Sequence, residues 1–404
     1  MKIDRLRVRR LTGTLEVEGV HWEGRAPQPS DGYRSEGAVP VGGVGTGYVE
    51  RGVQVDGRHL RLESLFLEIT TDAGVGGVAG PISLPAAWLA VRQLSPLLVG
   101  SDPFATERTW DLAYRSFVHG RQGDGMLALS AVDCALWDLK GKFLGLPCYR
   151  LLGGPTRDAV PAYASMYGFD VTDLGRVRER ARWAKEAGFT AQKWFLAYGP
   201  SAGAPGMAGN VALVRALREE LGDDDLMIDA WGALDPPYAL EFVRRIAEYR
   251  PRWIEQPVLP EQGRLYAEIR RRTGLPVAGG EHTYTRWGLV QLLDVQAIDV
   301  FQPDIYWSGG ISEVVKMAAL ASVRGVPVVP HGTTPLATLH FSLAQPPGGA
   351  PVQEHLFKFS PTVQFFSKHR VEPVSGRLLP IDAAGLGMEL DEDRIERAIE
   401  VDLS

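Results

Sequence analysis

Three carboxylates recur at a regular interval along the sequence, each at or near the end of a short apolar run. The runs "DLMIDAW", "RWIEQP" and "LPVAGGE" carry Asp229, Glu255 and Glu281. Glu255 follows Asp229 by 26 residues, and Glu281 follows Glu255 by the same interval. Taken singly, each carboxylate could be a helix cap or a buried ion-pair partner. Equal spacing on successive runs instead indicates that the three converge on one site.

The residue types of this set favour a hard metal ion. Three carboxylates directed at one point repel one another strongly unless a cation lies between them. The sequence has no paired Cys or His at the spacing of zinc sites, and oxygen ligands favour Mg²⁺ over zinc. We therefore predict that Asp229, Glu255 and Glu281 bind Mg²⁺.

Four more ionisable residues end other apolar runs. They are Lys193 in "TAQKWFL", Asp304 in "AIDVFQPD", His331 in "GVPVVPH" and Glu354 in "PVQEHL". A lone histidine is usually a satisfied core residue. Adjacent barrel strands, however, lie about 4.8 Å apart, so a contact between His331 and Asp304 is geometrically natural. Such an aspartate orients the imidazole so that its other ring nitrogen can act as a base.

The elements that must position these residues form an alternating series from residue 161 onward. Eight short apolar runs alternate with stretches whose apolar residues recur every three or four positions, such as "NVALVRALREELG". This rhythm predicts an α/β fold with a (β/α)8 TIM-type barrel, whose functional face is at the carboxyl ends of the strands. A doubly wound open sheet is the alternative. It is disfavoured because polar residues end strand after strand, whereas an open sheet gathers its ligand at one switch point.

The pattern divides the chain into three parts. Residues 1–155 read as an α+β domain, residues 156–365 as the barrel, and residues 366–404 as a segment that returns to the first domain. A Gly/Pro/Ser-rich stretch from Gly19 to Gly57 indicates a lid or binding loop, or else disorder. Within it, "GGVGTGY" (42–48) lacks the following helix and the Lys-Ser/Thr of a phosphate-binding loop, so no nucleotide site is predicted there.

Composition excludes several classes of partner. The 404 residues are 45% hydrophobic and 23% charged, with a net charge of −6 and no long run of Lys or Arg, so neither nucleic acid nor an anionic membrane is expected as a partner. No window approaches the roughly 18 apolar residues of a membrane span. Cys134 and Cys148 cannot form a disulfide framework. A cytoplasmic protein is therefore expected.

The ordered set of strand-end residues resembles the enolase superfamily, specifically its mandelate racemase subgroup. Segments such as "FQPDIYWSGGISEVVKMAALASVRGVPVVPHGTT", "GKFLGLPCYRLLGG" and "GEHTYT" are most similar to acid-sugar dehydratases of the L-rhamnonate type. The resemblance covers about residues 125–355. It implies a modified barrel covered by an α+β capping domain, which the N-terminal region and the C-terminal tail build, with Mg²⁺ as cofactor. It also implies a sugar-acid substrate and a homo-oligomer, from dimer to octamer.

One departure from the subgroup favours elimination over racemisation. Its racemases carry Lys-x-Lys at the end of the second strand, and the second lysine is the base opposite the histidine. Here "QKWFL" places Lys193 first and Phe195 second, and the two share a strand face. One histidine can still remove the α-proton and then protonate the departing β-hydroxyl. We therefore predict a dehydratase that yields a 2-keto-3-deoxy sugar acid. The alternative is a racemase or epimerase, or a cycloisomerase of the muconate lactonizing type.

The resemblance also implies roles for the residues at the strand ends. His331 and Asp304 form the proton-moving dyad, and Lys193 and Glu354 surround the substrate carboxylate, Glu354 as a donor only if it is protonated. Gly309-Gly310 is either an anion-binding helix start or a tight turn. Trp231, Trp253 and Trp307 are expected to pack at the rim. Substrate contacts are expected from His282, next to Glu281, and from the lid residues His21, Trp22, Arg25 and Arg34.

Overall fold

The computed structural model describes residues 1–33 and 52–403. Arg34 and the glycine-rich stretch 42–48 lie outside the described residues, so their predictions are not tested. In the part of the chain that the structure describes, no helix combines the length and the apolar character that crossing a membrane requires.

An antiparallel sheet forms the N-terminal part of the chain. Its strands are β1 (Ile3–Glu16), β2 (Val53–Gln54), β3 (His59–Thr71) and β4 (Gly76–Ile82). Strand β1 pairs with β3 over nearly its whole length, while β2 and β4 pair with separate stretches of the other edge of β3. Leu6 and Val8, two positions apart on β1, enter the core, and Leu11 is buried further along the strand.

Helices cover one face of this sheet. They are α1 (Leu84–Leu89), α2 (Ser95–Leu98), α3 (Thr106–Ser116), α4 (Asp124–Leu144) and α5 (Cys148–Leu151), with a π-helical turn at Ala90–Leu94. The long helix α4 is apolar on most of its circumference because it packs on the sheet and also on the barrel. Its backbone comes so close to β4 that a Cβ on Gly77 would lie 1.9 Å from the Ala135 carbonyl oxygen. The helix ends at Gly145, whose φ of 66° is left-handed.

Seven parallel strands follow. The first six lie side by side in chain order, and the seventh pairs with the first. They are β5 (Val160–Ser165), β6 (Ala191–Phe195), β7 (Asp225–Asp229), β8 (Trp253–Glu255), β9 (Val277–Gly279), β10 (Val300–Phe301) and β11 (Gln353–Leu356). The helices between and after them are α6 (Leu174–Glu186), α7 (Gly203–Leu221), α8 (Pro236–Ile246), α9 (Gly263–Thr273), α10 (Thr285–Asp294), α11 (Ile305–Ser308), α12 (Gly310–Val323), α13 (Pro335–Ala344) and α14 (Ser360–Val363). The architecture is therefore the expected α/β barrel in modified form.

The prediction of eight full strands was wrong at the seventh run. The segment "GVPVVPH" makes a single parallel bridge, from Val328 to Phe301, and not a strand. Its prolines, Pro327 and Pro330, have no N–H to donate to a ladder, which explains the interruption. The segment still fills the seventh place, because the amide of Val328 donates to the Gly349 carbonyl on its other side.

The C-terminal segment contacts both parts of the protein. Strand β12 (Arg377–Leu378) pairs antiparallel with β5, and β13 (Arg397–Glu400) pairs antiparallel with β1. The chain thus ends beside its first strand. The boundaries at residues 155 and 365 stay predictions.

Candidate active site

Neighbouring strands carry the central carboxylates side by side. In the parallel register Asp229 is the partner of Glu255, and Phe195 is the partner of Asp229. Strand alternation directs Lys193 to the same side as Phe195. Below them the barrel is filled by a buried apolar cluster: Tyr163, Ala191, Met227, Trp253, Ala278, Val329 and Val352. The polar groups therefore stand on a packed floor, at the carboxyl end of the sheet.

The ammonium of Lys193 lies among three of these carboxylates. Its Nζ is 2.5 Å from Glu255 Oε1, 2.8 Å from Glu354 Oε1 and 3.1 Å from Asp229 Oδ2. Burial alone would lower the pKa of Lys193, but the charges of Glu255 and Glu354 raise it well above its usual value. The surrounding carboxylates therefore favour the charged ammonium form of Lys193.

Asp229 is held in place by a strained residue that follows it. The backbone N–H of Trp231 donates to Asp229 Oδ1 at 2.9 Å, and Trp231 has a left-handed φ of 53°. Burial and the charge of Glu255 raise the pKa of Asp229 well above its usual range. Within this group Asp229 thus holds a proton readily, as expected of a carboxyl placed in excess negative charge.

Glu255 has two donors that the sequence did not indicate. Trp253 Nε1 donates to Glu255 Oε2 at 3.1 Å, and Gln302 Nε2 donates to the same oxygen at 2.7 Å. Trp253 was expected at the rim, but it is fully buried in the barrel floor. The only signal for Gln302 was its position just after the β10 run, among strand-end residues. Both donors fix the orientation of the Glu255 carboxyl group.

His331 and Asp304 form the expected pair. Nδ1 of His331 lies 3.0 Å from Asp304 Oδ2, and the hydroxyl of Thr333 donates to the same oxygen. The other oxygen of Asp304 accepts the N–H of Tyr306, which makes Asp304 the N-cap of α11. Sequence reasoning missed Thr333, although it stands two residues after His331.

The second ring nitrogen of His331 faces Glu281. Nε2 lies 3.5 Å from Glu281 Oε2. Burial would lower the pKa of His331, but the charge of Glu281 and the hydrogen bond to Asp304 raise it to about 10. The pKa of Glu281 shifts in the opposite direction. Burial would raise this pKa, but the charges of His331 and His282 lower it. The electrostatic state of the histidine therefore depends directly on that of Glu281.

His282 and Trp307 form the adjoining wall. His282 Nε2 lies 3.1 Å from Glu281 Oε1, and its ring stacks on Trp307 with centroids 5.2 Å apart. Trp307 also lies 5.1 Å from the ring of His331. Trp307 therefore packs against both histidines, and its expected position at the rim stays a prediction.

Glu354 accepts the backbone N–H of Gly332 at 2.8 Å, on the oxygen that does not face Lys193. Burial would raise its pKa, but the charges of Lys193 and His331 lower it below the usual value. This environment favours the ionised form of Glu354, and its role as a donor stays a prediction.

The described lid residues meet the barrel at the segments that follow β5 and β11. Trp22 packs so closely on Gly168 that a Cβ there would lie 2.6 Å from the indole ring. His21 Nε2 lies 2.8 Å from the Lys358 carbonyl oxygen, and Lys358 Nζ lies 2.7 Å from Glu23 Oε1. Arg25 instead pairs with Asp31 of its own segment, at 2.8 Å. The structure thus brings His21 and Trp22 to the barrel mouth, whereas Arg25 makes a contact within the lid.

An aromatic group joins the lid to the site. Tyr167 stacks on Trp231 with centroids 5.1 Å apart, and its ring is 5.1 Å from Phe195 and 6.0 Å from Trp22. The Phe195 ring centroid is 5.4 Å from Lys193 Nζ. One side of the site is therefore apolar, opposite in character to the side that holds the histidines. Trp231 packs against Tyr167 on this apolar side of the site. Its expected position at the rim stays a prediction.

Within residues 1–33 and 52–403, no three His, Cys, Asp or Glu side chains are gathered closely enough to hold a metal ion as they stand. The carboxylates of Asp229 and Glu255 are turned to the ammonium of Lys193. Asp229 and Glu255 are thus neighbours on the sheet in an ion-pair cluster with Lys193, while Glu281, past the end of β9, faces His282 and His331.

Comparison with known proteins places this geometry in context. Residues 176–394 match the enolase C-terminal domain-like family, and residues 60–153 match the N-terminal domain of mandelate racemase / muconate lactonizing enzyme. The chain is 35% identical over 343 residues to L-rhamnonate dehydratase of Saccharopolyspora erythraea, a match that covers 82% of this chain and 84% of the relative.

Solved structures give similar neighbours. L-rhamnonate dehydratase from Gibberella zeae superposes with a TM-score of 0.82 at 29% identity, over 99% of this chain and 96% of that one. A structure of the rhamnonate dehydratase from Gibberella zeae complexed with Mg gives 0.79 at 28% identity, over 97% and 95%. The 3,6-anhydro-D-galactonate cycloisomerase from Zobellia galactanivorans gives 0.77 at 26% identity, over 98% and 100%.

Proposed function

The chain belongs to the enolase superfamily, and from this premise we propose that it is a Mg²⁺-dependent dehydratase of a sugar acid. The reaction removes the proton α to the carboxylate and eliminates the β-hydroxyl, which gives a 2-keto-3-deoxy sugar acid. One observation carries the proposal: His331, oriented by Asp304, lies beside Glu281 in a site with phenylalanine at position 195. Among the described residues, His331 is then the base of the site, and Phe195 stands where the racemases of the subgroup carry a second lysine.

The donor set fits Mg²⁺ by charge and by ligand type. Asp229 and Glu255 are buried oxygen donors on neighbouring strands, and Glu281 is a third buried donor two residues past the end of β9. A divalent ion would balance the negative charge that these three carboxylates bring together. A structure of the rhamnonate dehydratase from Gibberella zeae contains Mg. When bound, Mg²⁺ would supply positive charge to the substrate carboxylate, on which negative charge accumulates after loss of the α-proton.

His331 would carry out both proton transfers. Its Nε2 takes the proton from C2 while Asp304 holds Nδ1. The C3–O bond then breaks, the electron pair of the former C2–H bond forms the C2–C3 double bond, and the same Nε2 returns its proton to the departing hydroxide as water. The enol product tautomerises to the keto acid. Because the charge of Glu281 raises the pKa of His331, a cation at Glu281 would favour the neutral imidazole that this base role requires.

Lys193 would stabilise the charge that develops on the substrate carboxylate. Its pKa is raised well above the usual value, so the ammonium stays charged through the reaction. Glu354 holds that ammonium at 2.8 Å and thus fixes its position. In this proposal Glu354 orients Lys193 and does not transfer a proton.

The aromatic side of the site supports an aldonate, such as L-rhamnonate, over an aldarate. A second carboxylate directed at Tyr167, Phe195 and Phe359 would lose its hydration without gaining a partner among these rings. An uncharged chain end would be accepted there. This proposal agrees with the L-rhamnonate dehydratases among the similar proteins.

The test is a panel of aldonic and aldaric acids incubated with the protein and Mg²⁺, with 2-keto acid formation as the readout. We expect turnover of one or more aldonates and none of the aldarates, and no turnover after chelation. If no acid in the panel is dehydrated while the chelated and Mg²⁺-loaded samples behave alike, the proposed function is wrong.

A racemase or cycloisomerase remains the second candidate, since a cycloisomerase is among the structural neighbours. Both would exchange the C2 proton with solvent, but neither releases water. Substrate deuteration in D₂O without keto-acid formation would therefore favour the second candidate over the dehydratase.

A further inference from the structure

We propose that Asp133, a buried residue of the capping helix α4, is a positioning residue that holds the catalytic dyad in place through the turn Gly309–Ser312. This proposal rests on the function proposed above for His331 and Asp304. In this proposal the capping domain does more than cover the site. It also holds Asp304, the residue that orients the base His331.

Asp133 on α4 contacts Ser312 on α12, so this contact joins the capping domain to the barrel. Its Oδ2 accepts the N–H of Ser312 at 2.9 Å, and its Oδ1 accepts the Ser312 hydroxyl at 2.5 Å. Trp137, one turn further along α4, donates its Nε1 to the same hydroxyl at 2.9 Å. Asp133 therefore accepts one of the N-terminal amides of α12, so a carboxyl group of the chain itself occupies the helix start that follows Gly309-Gly310.

Gly309, the first residue of the turn, is also hydrogen-bonded to helices of the capping domain. The N–H of Gly309 donates to Ser130 Oγ at 2.8 Å, and the Gly309 carbonyl accepts Trp110 Nε1 at 2.7 Å. Ser130 lies on α4 and Trp110 on α3. Both polar groups of the Gly309 peptide thus end on the capping domain.

The close approach explains the second glycine. Gly310 has a left-handed φ of 81°, and a Cβ there would lie 2.4 Å from Asp133 Oδ2. Burial also raises the pKa of Asp133 to about 7, against the effect of its bonds to Ser312. A carboxyl placed in an otherwise apolar helix face is unfavourable unless its hydrogen bonds compensate. The hydrogen bonds that compensate for the burial of Asp133 are those from Ser312 in the turn.

Only one short helix separates this turn from the dyad. Helix α11 runs from Ile305 to Ser308, begins at its cap Asp304 and ends at Gly309. The amide of Ser308 donates to the Asp304 carbonyl at 2.8 Å, so the turn and the cap are parts of one hydrogen-bonded unit. A shift of Gly309 would therefore move Asp304, and with it Nδ1 of His331. A misplacement of about 1 Å can lower a rate by roughly 100-fold.

A matched control lies on the same helix. Asp138 is also buried on α4, but it accepts the amides of Val78 and Leu386, at 2.9 and 2.8 Å, and pairs with Lys142. Among the described residues, Asp138 makes no hydrogen bond or ion pair to the turn or to the dyad. Asp138→Ala therefore removes a comparable buried carboxyl without disturbing α11.

The experiment compares Asp133→Ala, Asp133→Asn and Asp138→Ala in the full chain. For Asp133→Ala we expect kcat and C2-proton exchange to fall about 10- to 100-fold with KM changed less than about threefold. Asn can accept from the Ser312 amide and donate to its hydroxyl, so Asp133→Asn should recover most of the rate. Asp138→Ala should lower the thermal transition to a similar extent yet keep kcat within about threefold of wild type. Equal loss in the two alanine variants would overturn the proposal, as would full activity of Asp133→Ala.

A second readout does not depend on turnover. In protein labelled with ¹⁵N-histidine, the ring signals of His331, identified by their loss in His331→Asn, report its contact with Asp304. We expect the chemical shifts of these signals to change in Asp133→Ala and to remain as in the wild type in Asp138→Ala. If Asp133→Ala does not fold, Ser312→Ala, which removes the hydroxyl alone, should shift the same signals to a smaller extent. Unchanged signals would refute the positioning role, whereas a wild-type protein without turnover would count against the proposed function only.

Discussion

Lys193 Nζ lies 2.5 Å from Glu255 Oε1, and both side chains are almost completely removed from solvent. The same ammonium is the positive partner of Asp229 and Glu354. A buried carboxylate that loses its partner costs about 3–5 kcal/mol of stability. The pair therefore supports the fold of the barrel mouth as well as the proposed chemistry.

The first prediction concerns this ammonium. Lys193→Met should abolish turnover and lower the thermal transition of the chelated protein, because three buried carboxylates lose their cation. Added Mg²⁺ should then raise the transition by more in the variant than in the wild type. Lys316→Met is the control, since Lys316 pairs only with the exposed Glu107 in the described ion pairs. Calorimetry with and without Mg²⁺ measures both effects. An identical Mg²⁺ response in Lys193→Met and wild type would contradict the prediction.

The second prediction concerns Asp229 as a metal ligand. Asp229→Asn keeps an oxygen that can accept the Trp231 amide, so the strained turn should survive and the protein should fold. It loses one negative charge, so the Mg²⁺ concentration for half-maximal activity should rise at least about tenfold. Titration of activity with Mg²⁺ and calorimetric binding measure this change. Unchanged Mg²⁺ dependence would mean that Asp229 acts only as a structural acceptor.

The third prediction concerns stability against acid. Burial lowers the pKa of His340 to about 4, so the folded protein keeps this ring neutral while the unfolded chain protonates it near its usual pKa. A lowered folded-state pKa contributes stability above the unfolded value, and this contribution is lost as pH falls. Between about pH 7 and pH 5, His340 alone should account for a loss of about 2 kcal/mol.

His340→Asn tests this contribution. Asn can accept the Tyr149 amide that His340 Nδ1 accepts at 3.2 Å, but it cannot take up a proton in this range. The variant should lose less unfolding free energy between pH 7 and pH 5, as measured by denaturant titration at each pH. The control is His59→Asn, because His59 lies exposed beside Asp56. If His340→Asn and wild type lose the same amount, the neutral state of His340 is not the cause.

Part of the fold and of the site could be predicted from the sequence. In a parallel barrel, strands that follow one another in sequence are neighbours in space, so a regular interval between Asp229 and Glu255 places them side by side. The resemblance to the enolase superfamily is confirmed by the family matches over both parts of the chain. The same rule brought His331 next to Asp304. The roles of these residues stay predictions.

The rest depended on contacts that no periodicity encodes. Gln302 donates to Glu255 across 47 positions, and Asp133 reaches Ser312 across 179. A strand pattern tells which face a residue is on, but it does not tell which partner its side chain meets. The missing seventh strand is different, because the two prolines of "GVPVVPH" were visible in the sequence. The cation partner of the carboxylates could not be foreseen either, since Lys193 was placed by its strand alone.

The fourth prediction tests the central claim, that one histidine serves as base and then as acid. For this, His331→Asn is loaded with Mg²⁺ and the acid that the wild type turns over, and C2-proton exchange in D₂O and keto-acid release are followed together by NMR. Asp304→Asn is the graded comparison, because it misorients the imidazole without removing it and should retain slow turnover.

The account predicts that His331→Asn loses both exchange and dehydration while its Mg²⁺ binding and thermal transition stay near wild type. Asp304→Asn should be slower than wild type by at least about 100-fold but still active. If His331→Asn still exchanges the C2 proton, the base lies elsewhere, with Lys193 the first residue to test, and the single-histidine mechanism is contradicted.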